Sequence, residues 1–167
     1  MIGTISTIMM LAAPILIIAT GGMICERSGV TNVGLDGLMS IGACTAAIVH
    51  QLMEVAGVGR ISLTVALLAA ALVSMLISVL HAIASVDLKS DQTISGTGIN
   101  LLATGITVFV CQRIYGTDRS TEFKMGMVKD GLGFYPTLYI AIVVVVLAWF
   151  ILYKTPFGMH LRACGEH

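Results

Sequence analysis

Apolar residues run in long blocks along this chain, and the charged ones fall between them. Residues 1–25, 37–53, 61–86, 92–112 and 131–153 hold no Asp, Glu, Lys or Arg, giving blocks of 25, 17, 26, 21 and 23 residues. A helix needs roughly 20 apolar residues to cross a hydrocarbon core of about 30 Å. Four blocks meet that length and predict spans. Block 37–53 is short, so a crossing that starts below the membrane surface and a re-entrant segment both stay open. No block alternates apolar and polar residues as a membrane β-strand does. Helices are the other way to satisfy backbone groups in lipid. The expected architecture is therefore an all-α, polytopic membrane protein with about five hydrophobic segments, one of them broken or re-entrant if block 37–53 does not cross.

Composition narrows the class. Of the 167 residues 57% are hydrophobic and 11% charged, nine basic against nine acidic, with a mean hydropathy of +0.97. Soluble domains carry about 25% charged residues. So little charge excludes a soluble enzyme and a disordered tail, and a net charge of zero offers no basic patch for nucleic acid. No Lys or Arg precedes Arg27, and no small-x-small cleavage site leads into a polar domain, so the first block reads as a retained span. Charge does not orient the spans. If all five cross, Arg60, Arg113, Arg119, Lys124 and Lys129 face one side and Arg27, Lys89, Lys154 and Arg162 the other.

Local features refine the blocks. Pro14 predicts a kink in the first span, and Gly21-Gly22 a loosened end. Glu26–Gly37 gathers three charges, an Asn and three glycines between two apolar runs. It is either a solvated loop or a break in a membrane helix, where irregular backbone lines a cavity. Ala66, Ala70, Ser74, Ser78 and Ala82 form a small-residue stripe that predicts a helix-packing seam. His81 reads as a hydrogen-bonded interfacial histidine. Thr93–Asn100 is polar for a membrane segment, with Thr97 and Asn100 candidates to face a solute path. Gly96-Thr97-Gly98 is not a dinucleotide fingerprint, since position 101 is Leu and no strand precedes it. Residues 113–130 form a mixed-charge loop, and Trp149 and Tyr153 suit a membrane-interface belt. Thr155 as N-cap and Pro156 as first residue predict a new short helix. The chain then stops in mid-motif, as an N-terminal fragment of a longer chain would.

Little chemistry resides in the chain itself. Cys25, Cys44, Cys111 and Cys164 form no C-x-x-C pair and read as apolar filler, and no metal site is expected. There is no phosphate loop and no H-E-x-x-H, so neither ATP hydrolysis nor an intramembrane metalloenzyme is indicated. Asn32, Asp36, Thr97 and Asn100 are the candidate solute-path residues; Asp36 has the alternative role of stabilising the N-terminus of the next helix. An ion-coupled secondary transporter or channel remains a competing class, with Asp36 its coupling carboxylate.

Three stretches together resemble one family: Glu26–Gly37 (ERSGVTNVGLDG), Asp91–Thr107 (DQTISGTGINLLATGIT) and Thr155–His167 (TPFGMHLRACGEH). They look like the permease subunit of bacterial ABC importers for nucleosides and simple sugars, a binding-protein-dependent family that includes ribose-type and branched-chain amino acid permeases. The nucleoside branch is most similar. Asp36 stands where Glu is more usual, which keeps the carboxylate. The resemblance implies residence in the bilayer of the bacterial inner membrane, no cofactor, and three protein partners: an ABC ATPase subunit, a second permease subunit and an extracytoplasmic solute-binding lipoprotein. It implies one transmembrane permease domain over 1–167, with 155–167 starting the cytoplasmic region that couples to the ATPase. Phe157, Gly158, Leu161, Arg162, Gly165 and Glu166 are the coupling candidates. Phe157 and Leu161, four apart, share one helix face, and Arg162 and Glu166 another. Residues 87–91 would then lie inside and 113–130 outside, and Glu26–Asp36 inside provided that 37–53 crosses.

Overall fold

A computed structural model of the chain describes residues 2–59, 61–118, 131 and 133–166. Every regular element among them is helical. In chain order they are α1 (Ile2–Arg27), α2 (Leu35–Val55), α3 (Ile61–Ala82) continued by a π-helical stretch (Ile83–Asp87), α4 (Gln92–Tyr115), α5 (Pro136–Lys154) and α6 (Pro156–Gly165). Helices α1 to α5 are each long and apolar enough to cross a membrane, as four of the charge-free blocks predict and the fifth, 37–53, leaves open. Their outward faces carry Leu, Ile, Val and Phe, for example Leu67, Leu68, Leu72 and Leu76 on α3. Such a surface suits lipid or further helices rather than water.

Two boundaries differ from the block pattern for physical reasons. Block 37–53 becomes a 21-residue helix by taking in Leu35, Asp36, Glu54 and Val55. At 1.5 Å per residue it reaches about 31 Å, enough to cross. Its two acids are accommodated at the ends. Asp36 lies in the first turn, where the helix dipole favours a carboxylate. Glu54 pairs with His50 one turn earlier, Oε1 to Nε2 3.3 Å, both side chains largely buried. Helix α1 likewise runs unbroken through Pro14 and past Gly21-Gly22 to Arg27. In hydrocarbon an unpaired backbone group costs far more than glycine's poor helix propensity, so the helix continues.

The chain forms two compact units, Met1–Asn32 with Met127–His167, and Val33–Gly126. In the first, α1 packs along α5. The Ser6 hydroxyl donates to the Gly133 carbonyl (2.6 Å) at one end, and Arg27–Gly29 meets Gly165, beyond the far end of α5, at the other. The two helices are therefore parallel. Buried Ser6, Ala13 and Thr20 on α1 recur every seven residues, as do Ala141 and Ala148 on α5. These small residues let the backbones approach closely. Neighbouring spans that run parallel are separated by an odd number of crossings. With α3 and α4 both spanning, α2 must cross as well; a re-entrant α2 would leave α1 and α5 antiparallel.

The second unit is a bundle of α2, α3 and α4. The Ser74 hydroxyl of α3 donates to the Leu38 carbonyl of α2 (3.1 Å), and a Cβ on Gly42 would meet Ser74 Oγ. The small-residue stripe thus packs at Ala66, Ala70 and Ser74, and extends backward to buried Ser62. It does not hold at Ala82, which is exposed, and Ser78 turns its hydroxyl to the Met75 carbonyl of its own helix (2.7 Å). A four-residue step rotates about 40° beyond a full turn, so a strict i+4 row winds off the seam. The buried face passes instead to His81 and Ser85.

Candidate functional site

The segment between α1 and α2 carries the geometry of interest. Helix α1 ends in a Schellman motif: Val30 N–H donates to the Cys25 carbonyl (3.2 Å) and Gly29 N–H to the Glu26 carbonyl (3.1 Å). Gly29 has φ +84°, the left-handed conformation this motif requires. Residues 30–32 are neither helix nor turn. Gly34 then leads into α2 without a side-chain cap of its own.

Helix α6 closes on the end of α1. Its start follows the local rule: the Thr155 hydroxyl accepts from Gly158 N–H (3.3 Å), donates to the Ile151 carbonyl (2.6 Å), and Pro156 follows as the first helical residue. Gly158 is buried in the corner between α5 and α6, where a Cβ would overlap the Ile151 and Leu152 carbonyls. At the other end of α6, a Cβ on Gly165 would stand 2.9 Å from Gly29 N and against the Arg27 carbonyl, while one on Gly29 would lie 3.2 Å from Gly165 Cα. Two glycines thus face each other, backbone to backbone. Beside them lies a polar cleft of about 160 Å³ lined by Glu26, Arg27, Arg162, Gly165 and Glu166. Arg162 is directed to its own unit: Nε donates to the Gly158 carbonyl (3.3 Å), and its guanidinium sits 5.0 Å from the Tyr153 ring centre. Lys154 takes a similar place 5.8 Å from Trp149. Phe157 and Met159 are exposed, and Leu161 is half-buried.

The second unit holds the other half of the segment. Gly37 N–H donates to Asn100 Oδ1 (2.7 Å), and Asn100 Nδ2 donates to the Val33 carbonyl (3.0 Å). Asn100 of α4 therefore caps α2 from a neighbouring helix and pins the turn before it. The approach is close: a Cβ on Gly37 would lie 2.9 Å from Asn100 Cα, and one on Gly96 would lie 2.8 Å from Gly34 N and 3.0 Å from Val33 Cβ. Thr97, one residue on from Gly96, is exposed; its hydroxyl donates to the Thr93 carbonyl (2.7 Å) and keeps its acceptor capacity. Asp36 is exposed and Asn32 half-buried. Helices α2, α3 and α4 also enclose an apolar groove of about 180 Å³, lined among others by Ile41, Cys44, Thr45, Val73 and Thr107.

The turn joining α3 to α4 is tied down separately. His81 is buried, its Nδ1 3.0 Å from Ser95 Oγ and its Nε2 3.5 Å from Ser85 Oγ. Asp91 Oδ1 accepts from Thr93 N–H (2.8 Å) and Ile94 N–H (3.1 Å), capping α4. At its far end α4 includes Arg113 and stops at Gly116, whose φ is +69°. Most of the mixed-charge loop expected at 113–130 lies outside the described residues. Among those residues, no three His, Cys, Asp or Glu gather as a metal ion would require.

The three sequence stretches are thus joined pairwise. Glu26–Gly29 meets Gly165 and Glu166 of the third stretch, and Val33–Gly37 meets Gly96 and Asn100 of the second. Four residues central to these joints, Gly29, Val33, Gly37 and Gly96, carry no side-chain chemistry that marks them in the sequence. Two of the joints are close approaches between elements distant in sequence, and no local pattern announces them. The amide of Asn100 does mark it in the sequence, and the structure gives both ends of that amide a backbone partner.

Comparison with known proteins fits this arrangement. Residues 4–167 match the family model described as the branched-chain amino acid transport system / permease component. The chain is 42% identical over 171 residues to a guanosine ABC transporter permease protein of Bacillus subtilis, covering 93% of this chain and 53% of that protein. It is 32% identical to a nucleoside ABC transporter permease protein of Lactococcus lactis, covering 98% of this chain and 56% of the relative. It is 30% identical to a Haloferax volcanii protein provisionally named a glucose ABC transporter permease, covering 98% and 52%. The chain spans about half the length of these curated relatives. No solved structure matches it. With five helices long and apolar enough to cross a membrane, three stretches locked together in pairs and a family match over nearly its whole length, the chain belongs to the permease-component family of the branched-chain amino acid transport system type.

Proposed function

We propose that this chain is the transmembrane permease subunit, or its first part, of an ABC importer that moves nucleosides across the bacterial inner membrane. The observation that carries this is the 42% identity, over nearly all of the chain, to a permease named for guanosine. Simple sugars are the adjoining substrate class, in line with the relative named for glucose. ATP is hydrolysed on a partner ATPase subunit. A second permease subunit completes the path, and an extracytoplasmic lipoprotein delivers the solute.

The geometry supports specific roles. Helix α6 offers an exposed apolar end at Phe157, with Leu161 on the same face, for contact with the ATPase. Gly158 and Gly165 set its two ends against α5 and α1, while Arg162 and Glu166 flank the cleft beside it. A nucleoside is neutral and rich in hydroxyls, so it needs hydrogen-bonding groups rather than a counter-charge. Thr97 presents such a group, and Asp36 and Asn32 lie on the adjoining segment. Asn100 supports the path by holding that segment in place.

Reconstitution tests the proposal. The complete complex in proteoliposomes, supplied with binding lipoprotein, should take up guanosine only when ATP is present on the ATPase side. Uptake driven by a proton or sodium gradient in the absence of the ATPase would replace this account with that of an ion-coupled carrier.

A further inference from the structure

Helix α5 ends where a bilayer core ends. Its 19 residues extend about 28 Å, close to the thickness of the hydrocarbon. Lys154 and the turn before it therefore lie at the boundary with the headgroups. Along one side of α5, Ile142, Val146, Trp149 and Tyr153 are all exposed. At about 100° per residue they form a stripe roughly 110° round the helix from the buried row of Ala141, Ala148 and Leu152. The stripe is aliphatic at Ile142 and Val146 and ends in two rings that carry positive charge. Lys154 Nζ lies 5.8 Å from the centre of the Trp149 ring, and the Arg162 guanidinium lies 5.0 Å from that of Tyr153. Trp149 and Tyr153 are four apart on one face. Cations from two helices, α5 and α6, are thus gathered at the end of one exposed apolar stripe.

We infer that this corner binds an anionic phospholipid, its phosphate held by Lys154 and Arg162 and an acyl chain lying along Ile142 and Val146. Arg162 Nε donates to the Gly158 carbonyl (3.3 Å), which fixes the guanidinium in place. A guanidinium resting by its face on a ring keeps its edge for in-plane hydrogen bonds, and its planar fork matches two phosphate oxygens. Lys154 adds a point charge on the adjoining ring. Trp and Tyr rings, apolar in body and polar at one edge, suit the headgroup level. Nearby acids do not cancel the charge. Glu26 and Glu166 line the cleft with Arg27 and Arg162, two against two, so Lys154 is in excess. A free phosphate ion would meet the same cations but gain nothing from the apolar stripe, which is why the occupant is a lipid. The site stands on α5 crossing a bilayer and is independent of the solute the importer carries.

Trp149 is the sole tryptophan of the chain, so its fluorescence reports on this corner. The purified chain is reconstituted in vesicles of equal parts phosphatidylglycerol and phosphatidylcholine, with bromine, a contact quencher of tryptophan, carried on one lipid and then on the other. Brominated phosphatidylglycerol should quench more strongly, with a binding constant about fivefold or more above that of phosphatidylcholine, the size expected for one basic residue at a membrane surface. Lys154→Gln and Arg162→Gln should each lower that ratio, and the double variant should bring it to about one. Excess inorganic phosphate at constant ionic strength should leave the preference in place. Equal quenching by the two lipids, or a preference that survives in the double variant, overturns the site. Loss of the preference to inorganic phosphate assigns the cations to a free ion instead, and no quenching by either lipid means that protein covers the stripe; both overturn the lipid. Native mass spectrometry of the complex purified from the membrane gives a second reading. The double variant should retain one phosphatidylglycerol fewer than wild type, and equal retention overturns the site even where the chain alone does not reconstitute.

Discussion

Removing the amide of Asn100 has a cost that follows directly from its two hydrogen bonds. Asn100→Ala leaves Gly37 N–H, which donates at 2.7 Å, without its acceptor, and the Val33 carbonyl without its donor at 3.0 Å. Gly37 is buried, and α2 supplies no cap of its own to replace the lost one. An orphaned buried backbone donor costs about 1–3 kcal/mol, and a second, less buried hydrogen bond adds about 0.5–1.5 kcal/mol. The expected loss is about 2–4 kcal/mol, a thirtyfold or greater shift in the unfolding equilibrium. Reversible unfolding of the purified protein in mixed micelles, followed by circular dichroism, reads this as an earlier midpoint with an unchanged slope. Asn100→Asp separates the two bonds: it keeps an acceptor for Gly37 N–H but cannot donate to Val33, so its loss should be smaller at the amide end. It should also lower uptake without changing which nucleosides compete. Stability within about 0.5 kcal/mol of wild type for Asn100→Ala would refute the capping role.

Other positions give equally direct tests. Gly158→Ala should abolish accumulation of folded protein, since its methyl would overlap two carbonyls of α5, whereas Gly105→Ala, with open space around it, should be neutral or stabilising by up to about 1 kcal/mol; expression and unfolding midpoints decide. Thr155→Ala should cost about 1 kcal/mol through loss of the α6 cap, and Thr155→Ser should restore it, as judged by the same unfolding assay. Glu54→Ala should destabilise by about 1–3 kcal/mol by removing the carboxylate that buried His50 Nε2 faces at 3.3 Å, read as a lowered thermal midpoint.

Much of the fold is legible in the sequence because membrane crossing is a coarse, local requirement. Charge-free blocks mark four of the five long apolar helices outright and the core of α2, and Thr155-Pro156 marks the start of α6 because a cap is decided by neighbours within one turn. Counting charges alone undersizes α2, since it treats Asp36 and Glu54 as boundaries. A helix end tolerates a carboxylate by its dipole, as at Asp36, or by a partner one turn away, as His50 is for Glu54. The i+4 stripe on α3 is legible for three of its five residues and then drifts, because a helix repeats at 3.6 and not at four. The candidate site is legible in composition but not in geometry. That the glycines of Glu26–Gly37 face Gly165 and Gly96 depends on helices far apart in the chain being brought side by side. The π-helical stretch at Ile83–Asp87 has no sequence signature that marks it beforehand.

The account stands on α6 and the end of α1 lying together on the cytoplasmic side, where an ATPase can reach them. A variant keeping Cys164 as its sole cysteine reports this directly through an impermeant thiol reagent. Cys164 should be modified in inside-out membrane vesicles and left untouched in intact cells; modification in intact cells would contradict the account.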